Sequence, residues 1–224
     1  GQRGVGLNRG AELSNMEIVG GEVAVLPEMV NGIDISGTCL GYVEKGKVIT
    51  GERCESGDLI VALRSSGVHS NGLTLARKVF QNAGYTMKDK VPGLSGTVGE
   101  ELLTPTEIYV KDILRIRDEY DPHGLIDITG GGLRNLLRMR KGLRYIIDDP
   151  VKPQTLFGKI AELGEVSERE MYQTFNMGMG FMIVASEDDA ESMISDIGDA
   201  EIVGRVEKGN GVLYEPGNLL YENY

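Results

Sequence analysis

The chain has 224 residues, of which 41% are apolar and 25% are charged. This composition is typical of a globular protein that buries a sizeable core in one large domain or two small ones. The formal net charge of −11 argues against a nucleic-acid backbone or an anionic membrane as the main partner, because both attract clustered Lys and Arg. A small anionic substrate remains compatible with this charge, since backbone dipoles bind such groups locally.

Cysteine and histidine usage excludes the common metal motifs. Cys39 and Cys54 stand too far apart for a CxxC motif, and His69 and His123 form no zinc signature. The two thiols are predicted to be reduced and partly buried. No apolar run reaches the roughly 20 residues of a membrane span, and no basic-then-apolar leader opens the chain. The sequence therefore predicts a soluble, cytoplasmic protein.

The first fifty residues are predicted to belong to a separate domain. Residues 5–16 have modest helical propensity, a strand is predicted at 17–19, and a second extended run follows at 35–44. A polar connector then marks the boundary between a first domain, residues 1–52, and a second domain, residues 53–224.

Strands and helices alternate in the second domain. Short apolar runs between glycine or polar residues predict strands at 59–65, 124–129, 181–186 and 200–207. Apolar positions spaced for one face predict helices at 70–83, 105–119, 133–140, 153–163 and 187–197. This alternation indicates an α+β fold with at least one layered sheet.

Two of these helices carry start signals. The segment Thr104-Pro105-Thr106-Glu107 has the pattern of a capping box with proline at the first helical position. The helix at 70–83 is predicted to be capped by Ser70 or Asn71 and to end at Gly84.

The segment Gly67-Val68-His69-Ser70-Asn71-Gly72 joins a predicted strand to a predicted helix. A helix start offers free backbone N–H groups and a positive dipole end, which favour phosphate or carboxylate. His69 could donate to a phosphate oxygen there or shuttle a proton near neutral pH. An ordinary capped helix with a solvated histidine is the alternative.

The run from Asp127 to Gly132, DITGGG, also follows a strand. Its three glycines allow close backbone approach to a ligand, and their N–H groups can form an anion nest. Asp127 could bind a hydroxyl, a ribose or Mg²⁺. A glycine run is also a common flexible turn, so the motif is weak by itself.

Two further glycine motifs are candidates. In Gly20-Gly21-Glu22, the carboxylate could ligate Mg²⁺ held by ATP phosphates, or it could be a solvated turn residue. In Asn176-Met177-Gly178-Met179-Gly180, glycines interrupt an apolar stretch and indicate close backbone approach. The methionines of this segment are predicted to fill the core.

The order and spacing of the blocks carry more information than any single motif. The blocks are EIVGGE, GVHSNGLTLAR, ELLTPTEIYVK, GLIDITGGGLRNLLR, EMYQTFNMGMGFMIV and IVGRVEKG. From about Val5 to Lys208 they closely resemble the phosphoribosylformylglycinamidine cyclo-ligase family, also called aminoimidazole ribonucleotide synthetase. Its superfamily includes selenophosphate synthetase and thiamine-monophosphate kinase.

The resemblance implies a two-domain fold, with part of the N-terminal, ATP-binding domain followed by a complete C-terminal layered α/β domain. It implies ATP, Mg²⁺, a formylglycinamidine ribonucleotide substrate and a homodimer, and it implies that the chain is a fragment, inactive alone. Catalytic roles fall on His69, Asn71 and Asp127, and a metal-ligand role on Glu22. Substrate or nucleotide binding falls on Gly20, Gly21, Ser70, Thr129, Gly130, Gly131, Gly132 and Asn176.

The sequence departs from the family pattern at three places. Asp127 stands where the family usually carries histidine, and Glu107 stands where it usually carries arginine. The family segment GGETAEMPG is GGEVAVLPE in this chain, with Val23 and Val25 replacing polar residues. These changes leave two alternatives open: a non-catalytic paralogue that binds nucleotide or phosphosugar, and another ATP-dependent phosphotransferase of the superfamily.

Overall fold

A computed structural model describes residues 2–224, and the side chains of residues 4–224. The chain divides into two compact units, Gly1–Val48 and Ile49–Tyr224. Across the described residues, no helix is both long enough and apolar enough to cross a membrane.

In its described residues, the first unit contains one α-helix, α1 (Gln2–Leu13), and a short 3-10 helix at Lys45–Lys47. The strand predicted at 17–19 is wrong, and the extended run at 35–44 also enters no ladder. A strand is defined by hydrogen bonds to a neighbouring strand, and the described part of this unit supplies none for either segment. Sequence pattern alone therefore overstated the regular structure of this unit.

The second unit is built on one seven-stranded sheet, in the order β2-β4-β1-β5-β3-β6-β7. Its strands are β1 (Leu59–Arg64), β2 (Gly124–Asp127), β3 (Leu143–Ile147), β4 (Met179–Ala185), β5 (Ala200–Lys208), β6 (Gly211–Tyr214) and β7 (Leu219–Tyr221). Neighbouring strands are antiparallel except for the parallel pair β3–β6.

Helices cover both faces of this sheet, which explains why residues 59–63 of β1 are all apolar. Alternate residues of β1 enter different cores: Ile60 and Ala62 lie in one, and Val61 and Leu63 lie in the other. The first core includes residues of α2 (Leu73–Asn82), α3 (Val98–Leu102), α5 (Thr155–Gly164), α6 (Glu168–Thr174) and the 3-10 helix Gly132–Arg138. The second core includes residues of α4 (Val110–Glu119) and α7 (Glu187–Asp196). The α+β prediction with a layered sheet is confirmed.

The capping box predicted at Thr104–Glu107 is wrong. The helix that follows begins at Val110, and residues 104–109 form a loop instead. The Ser66 hydroxyl holds this loop by donating to the Pro105 carbonyl oxygen at 2.6 Å. A tertiary contact has therefore overridden the local signal, and the capping box lies one segment earlier, at Thr97 and Glu100 of α3.

The start of α2 also differs from the prediction, whereas its end agrees. Its N-cap is Gly72, with φ +79°, and no side chain caps it, so Ser70 and Asn71 do not serve as caps. A Cβ at Gly72 would overlap the ring of Phe175, which gives a packing reason for glycine. Gly84 follows the helix with φ +85°, as predicted.

Substitution of Thr97 and Thr104 tests which of the two capping-box sequences stabilises a helix. We expect Thr97→Ala to lower the free energy of unfolding by about 1 kcal/mol, because the Thr97 hydroxyl accepts from the Glu100 N–H and the Glu100 carboxylate accepts from the Thr97 N–H. Thr104→Ala is the matched control and should cost less than about 0.5 kcal/mol. Chemical denaturation measures both. Equal losses in the two variants would contradict the assignment.

Candidate functional site

The sheet order brings three of the sequence motifs to one end of the sheet. β4 lies between β2 and β1 and runs antiparallel to both. The carboxyl ends of β1 and β2 therefore meet the amino end of β4: Arg64 pairs with Met179, and Asp127 pairs with Phe181. The loops that carry the HSNG, DITGGG and NMGMG motifs leave or enter the sheet at this end.

A cavity of about 520 Å³ opens between these loops. Six of the predicted site residues line it: His69, Ser70, Asn71, Asp127, Thr129 and Asn176. The structure therefore brings together residues that are up to 107 positions apart in sequence, from His69 to Asn176. Several apolar or aromatic side chains complete the wall, among them Val68, Ile108, Tyr109, Ile113, Ile128 and Phe181.

Asn176 fixes the loop that follows β1. Its amide nitrogen donates to the carbonyl oxygens of Gly67 at 2.9 Å and Val68 at 3.3 Å. Its amide oxygen accepts from the Ser65 hydroxyl at 2.8 Å and from the Gly178 N–H at 2.9 Å. Asn176 is only 3% exposed, and these four hydrogen bonds occupy both the donor and the acceptor capacity of its side-chain amide. Its binding role stays a prediction, and its contacts are those of a positioning residue.

Gly180 allows two side chains to approach the backbone of β4. The β1–β4 register shifts between Leu63 and Arg64, opposite Gly180. A Cβ at Gly180 would overlap the Tyr109 hydroxyl and would lie 2.9 Å from Cε1 of His69. The Tyr109 hydroxyl donates to the Arg64 carbonyl oxygen at 2.8 Å. Glycine at this irregularity lets the tyrosine join the loop 104–109 to the end of β1.

His69 connects the loop after β1 to the loop before α4. Its Nε2 atom accepts from the backbone N–H of Ser66 at 3.1 Å and from that of Glu107 at 3.4 Å. The residue has φ +63°, a conformation that non-glycine residues adopt rarely. Burial lowers the pKa of the imidazole, against a weaker opposing effect of the Glu107 carboxylate.

The charges that line the cavity are negative. Glu107 and Asp127 are lining residues, both are exposed, and no Lys or Arg belongs to the lining. Neither carboxylate has a cation within ion-pair distance among the described residues. The Tyr109 hydroxyl stays protonated, because burial first, and then the Glu107 and Asp112 carboxylates, raise its pKa.

The three glycines of DITGGG lie beside the cavity and have packing reasons of their own. A Cβ at Gly130 would lie 3.0 Å from the Asn71 amide oxygen. One at Gly131 would lie 2.8 Å from the Asn135 amide oxygen, and one at Gly132 would overlap the Tyr172 carbonyl oxygen. None of the three belongs to the cavity lining, so their ligand-binding role stays a prediction.

Gly20, Gly21 and Glu22 belong to the first unit and are exposed. A Cβ at either glycine would meet no atom within 4 Å. Among the residues that could be searched, no group of three or more His, Cys, Asp or Glu side chains could hold a metal ion. The metal role of Glu22 therefore stays a prediction.

Sequence reasoning missed Thr106, Tyr109 and Phe181, which also line the cavity. Thr106 and Tyr109 lie in the ELLTPTEIYVK block, which was interpreted as the start of a helix. If the segment had been predicted as a loop, its threonine and tyrosine would have been candidate site residues. Phe181 gives no signal in the sequence, because a phenylalanine at the start of an apolar strand is indistinguishable from a core residue.

Comparison with curated proteins identifies close relatives, each named phosphoribosylformylglycinamidine cyclo-ligase. The relative from Thermoplasma volcanium is 45% identical over 214 residues, which are 94% of this chain and 63% of the relative. The relative from Methanopyrus kandleri is 48% identical, over 93% of this chain and 62% of the relative. That from Methanocaldococcus jannaschii is 49% identical, covering 92% and 60%. The chain thus spans about three fifths of the length of these relatives.

Solved structures support the fold assignment. The thiamine-monophosphate kinase of Stenotrophomonas maltophilia matches 77% of this chain and 54% of its own, with a TM-score of 0.50 and 20% identity. The enzyme of the same name from Aquifex aeolicus matches 78% of this chain and 55% of its own, with a TM-score of 0.50 and 17% identity. The model of the AIR synthase related protein, C-terminal domain, matches residues 55–214. The chain therefore belongs to the AIR synthase related protein family, and the second unit contains its C-terminal domain.

Proposed function

We propose that a protein of the relatives' full length that contains this chain closes the imidazole ring of aminoimidazole ribonucleotide, at the expense of ATP. In this reaction the γ-phosphoryl group of ATP moves to the formyl amide oxygen of formylglycinamidine ribonucleotide, and ADP leaves. A nitrogen of the substrate then attacks the activated carbon. The carbon–oxygen bond breaks, phosphate departs, and the attacking nitrogen loses a proton. Both steps depend on positioning and on stabilisation of phosphoryl charge.

One observation carries this proposal: residues from the HSNG, LLTPT, DITGGG and NMGMG blocks line a single cavity. These are the blocks on which the family resemblance depends, and relatives that are 45–49% identical to the chain are named phosphoribosylformylglycinamidine cyclo-ligase. Motifs that serve folding alone would not be expected to direct polar side chains into a common space. The convergence therefore favours a substrate site over a plain structural role.

The charge of the cavity favours one end of the substrate. Two carboxylates and no cationic side chain would repel a phosphate, whereas a carboxylate pairs well with an amidinium group. We therefore place the amidine of the substrate near Asp127, with the apolar walls around the ring that forms. The phosphate of the ribonucleotide would bind outside this cavity.

ATP and Mg²⁺ are part of the proposal, and the described residues fit the metal only in part. Mg²⁺ takes one or two carboxylates and completes its shell with water and substrate phosphate oxygens. The exposed Glu22 carboxylate, beside Gly20 and Gly21, is compatible with such a single protein ligand. The ion, when bound, would neutralise phosphate charge.

A homodimer in the cytoplasm is also proposed. The first unit exposes large apolar side chains, among them Val19, Val23, Leu40 and Tyr42, each more than 90% exposed. Exposed apolar surface of this kind marks sites of contact with another polypeptide. Both cysteines are free, as is usual in a reducing compartment.

The first test is substrate-dependent ADP release by the full-length protein, with formylglycinamidine ribonucleotide, Mg²⁺ and ATP. We expect ADP and the aminoimidazole product to appear together. The 224-residue chain alone should be inactive, because it spans only about three fifths of the length of the relatives. Turnover by this chain alone would refute the second expectation.

Asp127→His, assayed in parallel, separates the alternatives. Activity in the native protein shows that the carboxylate is compatible with catalysis. An inactive native protein together with an active variant would instead indicate a paralogue that lost its catalytic activity at this position. If neither protein releases ADP, the remaining alternatives are a different phosphoryl acceptor or a binding role.

The placement of the amidine predicts the effect of removing one charge. Asp127→Asn in the full-length protein should raise KM for formylglycinamidine ribonucleotide roughly 10- to 100-fold, because a hydrogen bond to a charged group contributes about 1.5–3 kcal/mol. The KM for ATP should change little. Asp149→Asn is a matched control, since Asp149 is exposed and lies outside the cavity. An unchanged KM in Asp127→Asn would exclude this placement.

The dimer is tested by sedimentation velocity on the full-length protein. Tyr42→Asp should raise the dissociation constant of the dimer about tenfold or more, because a charge would be buried in an apolar contact. Thr38→Asp adds the same charge at another exposed position of the unit and should have a smaller effect. A monomeric native protein would refute the dimer outright.

A further inference from the structure

The hydrogen bonds around His69 determine which ring nitrogen carries the proton. Nε2 faces two backbone N–H groups, those of Ser66 and Glu107, at 3.1 and 3.4 Å. A backbone N–H can only donate, so Nε2 must present its lone pair to both. The Ser66 hydroxyl oxygen also lies 3.1 Å from Nε2, but its proton is directed to the Pro105 carbonyl oxygen at 2.6 Å. The neutral ring therefore carries its proton on Nδ1.

His69 is a lining residue of the cavity. Its Cε1 atom, which lies between the two nitrogens, would be 2.9 Å from a Cβ at Gly180, which is also a lining residue. Nδ1 has no hydrogen-bond partner in the described part of the chain and is not among its enclosed, unpartnered atoms. A donor that is fixed in direction and lacks a protein acceptor is available to a ligand.

We propose that His69 is a positioning residue and a fixed neutral donor: Nε2 clamps the loop 104–109 against the loop after β1, and Nδ1–H donates to an oxygen of the substrate. This assignment rests on the proposed function for the identity of the substrate, but the tautomer and the clamp do not. It replaces proton shuttling, because a ring whose Nε2 is held by two N–H donors cannot accept a proton there without losing both bonds.

Burial and the surrounding charges act in opposite directions on the pKa of this ring. The Glu107 carboxylate favours the protonated form, Asp127 lies in the same cavity, and the Tyr109 ring, 6.3 Å away between centroids, is neutral. Burial prevails, and the pKa of His69 lies below its ordinary value of 6.5. The folded state thus binds fewer protons than the unfolded state. The resulting stability is fully present above about pH 6.5 and is lost as the pH falls below it.

Nitrogen-15 NMR of the imidazole rings in the 224-residue chain tests the tautomer directly. The chain has two histidines, so the spectrum of His69→Gln assigns both. We expect protonated Nδ1 and unprotonated Nε2 for His69 at pH 7.5, with a titration midpoint below 6.5. His123 is an internal reference, because its Nδ1 lies 2.8 Å from the Asp58 carboxylate and should also be protonated. A proton on Nε2 of His69, or a midpoint above 6.5, would overturn the proposal.

Two substitutions separate the clamp from the donor. Glutamine places its amide at the reach of Nε2, so His69→Gln can keep the clamp but loses the Nδ1–H donor. Asparagine places its amide at the reach of Nδ1, so His69→Asn can keep the donor but loses the clamp. Asparagine also tolerates positive φ better than glutamine, so any stability that His69→Asn loses cannot be attributed to backbone strain.

In the full-length protein we expect His69→Gln to unfold near the native denaturant midpoint and to show a KM for formylglycinamidine ribonucleotide raised about 5- to 10-fold. We expect His69→Asn to unfold at a lower midpoint and to show a smaller rise in KM. The native midpoint should fall between pH 6.5 and 5 more than that of His69→Gln. Equal behaviour of the two variants would overturn the division of roles. An inactive native protein with the expected spectrum would refute the proposed function alone.

Discussion

The site depends on the position of β4 between β1 and β2, antiparallel to both. This arrangement places the start of one strand beside the ends of two others, so three loops with distant sequence positions share one opening. Asn176, which precedes β4, makes three hydrogen bonds to the loop after β1 and a fourth to Gly178 in its own turn. Because these bonds are buried, breaking any of them would leave an unpaired polar group. Sheet topology brings the loops together, and Asn176 fixes their relative geometry.

Close packing accounts for several glycines in and beside the cavity. Glycine runs after strands are commonly interpreted as phosphate nests, and this interpretation was applied to Gly130–Gly132. In the fold, a side chain at Gly72, Gly132 or Gly180 would overlap Phe175, Tyr172 or Tyr109, respectively. The absence of a Cβ is therefore explained at these positions by close packing around the cavity. That explanation needs no ligand, so the glycines by themselves are poor evidence for one.

The sequence predicts those elements whose hydrophobic pattern is local and long. It fails where tertiary contacts determine the conformation of the backbone. The apolar run of β1 and the glycine stop after α2 were predicted correctly. The sequence motifs also supply His69, Asp127 and Asn176 to one cavity, where their roles stay predictions. The helix predicted from residue 105 failed because Ser66 holds Pro105 in a loop, which no neighbouring residue indicates. Strands β3, β6 and β7 have three to five residues each and were not predicted. Tyr109 was missed as a consequence of the false helix.

The charges of the cavity limit the part that it can take in the proposed ATP-dependent reaction. Phosphoryl transfer needs positive charge or N–H dipoles around the transferred group. The cavity offers a histidine held neutral, a tyrosine held protonated and two carboxylates. In the proposed reaction these groups would suit the organic end of the substrate, where the amidine is held. The cationic side chains that stabilise phosphate in that reaction would then lie outside this cavity, since no Lys or Arg lines it.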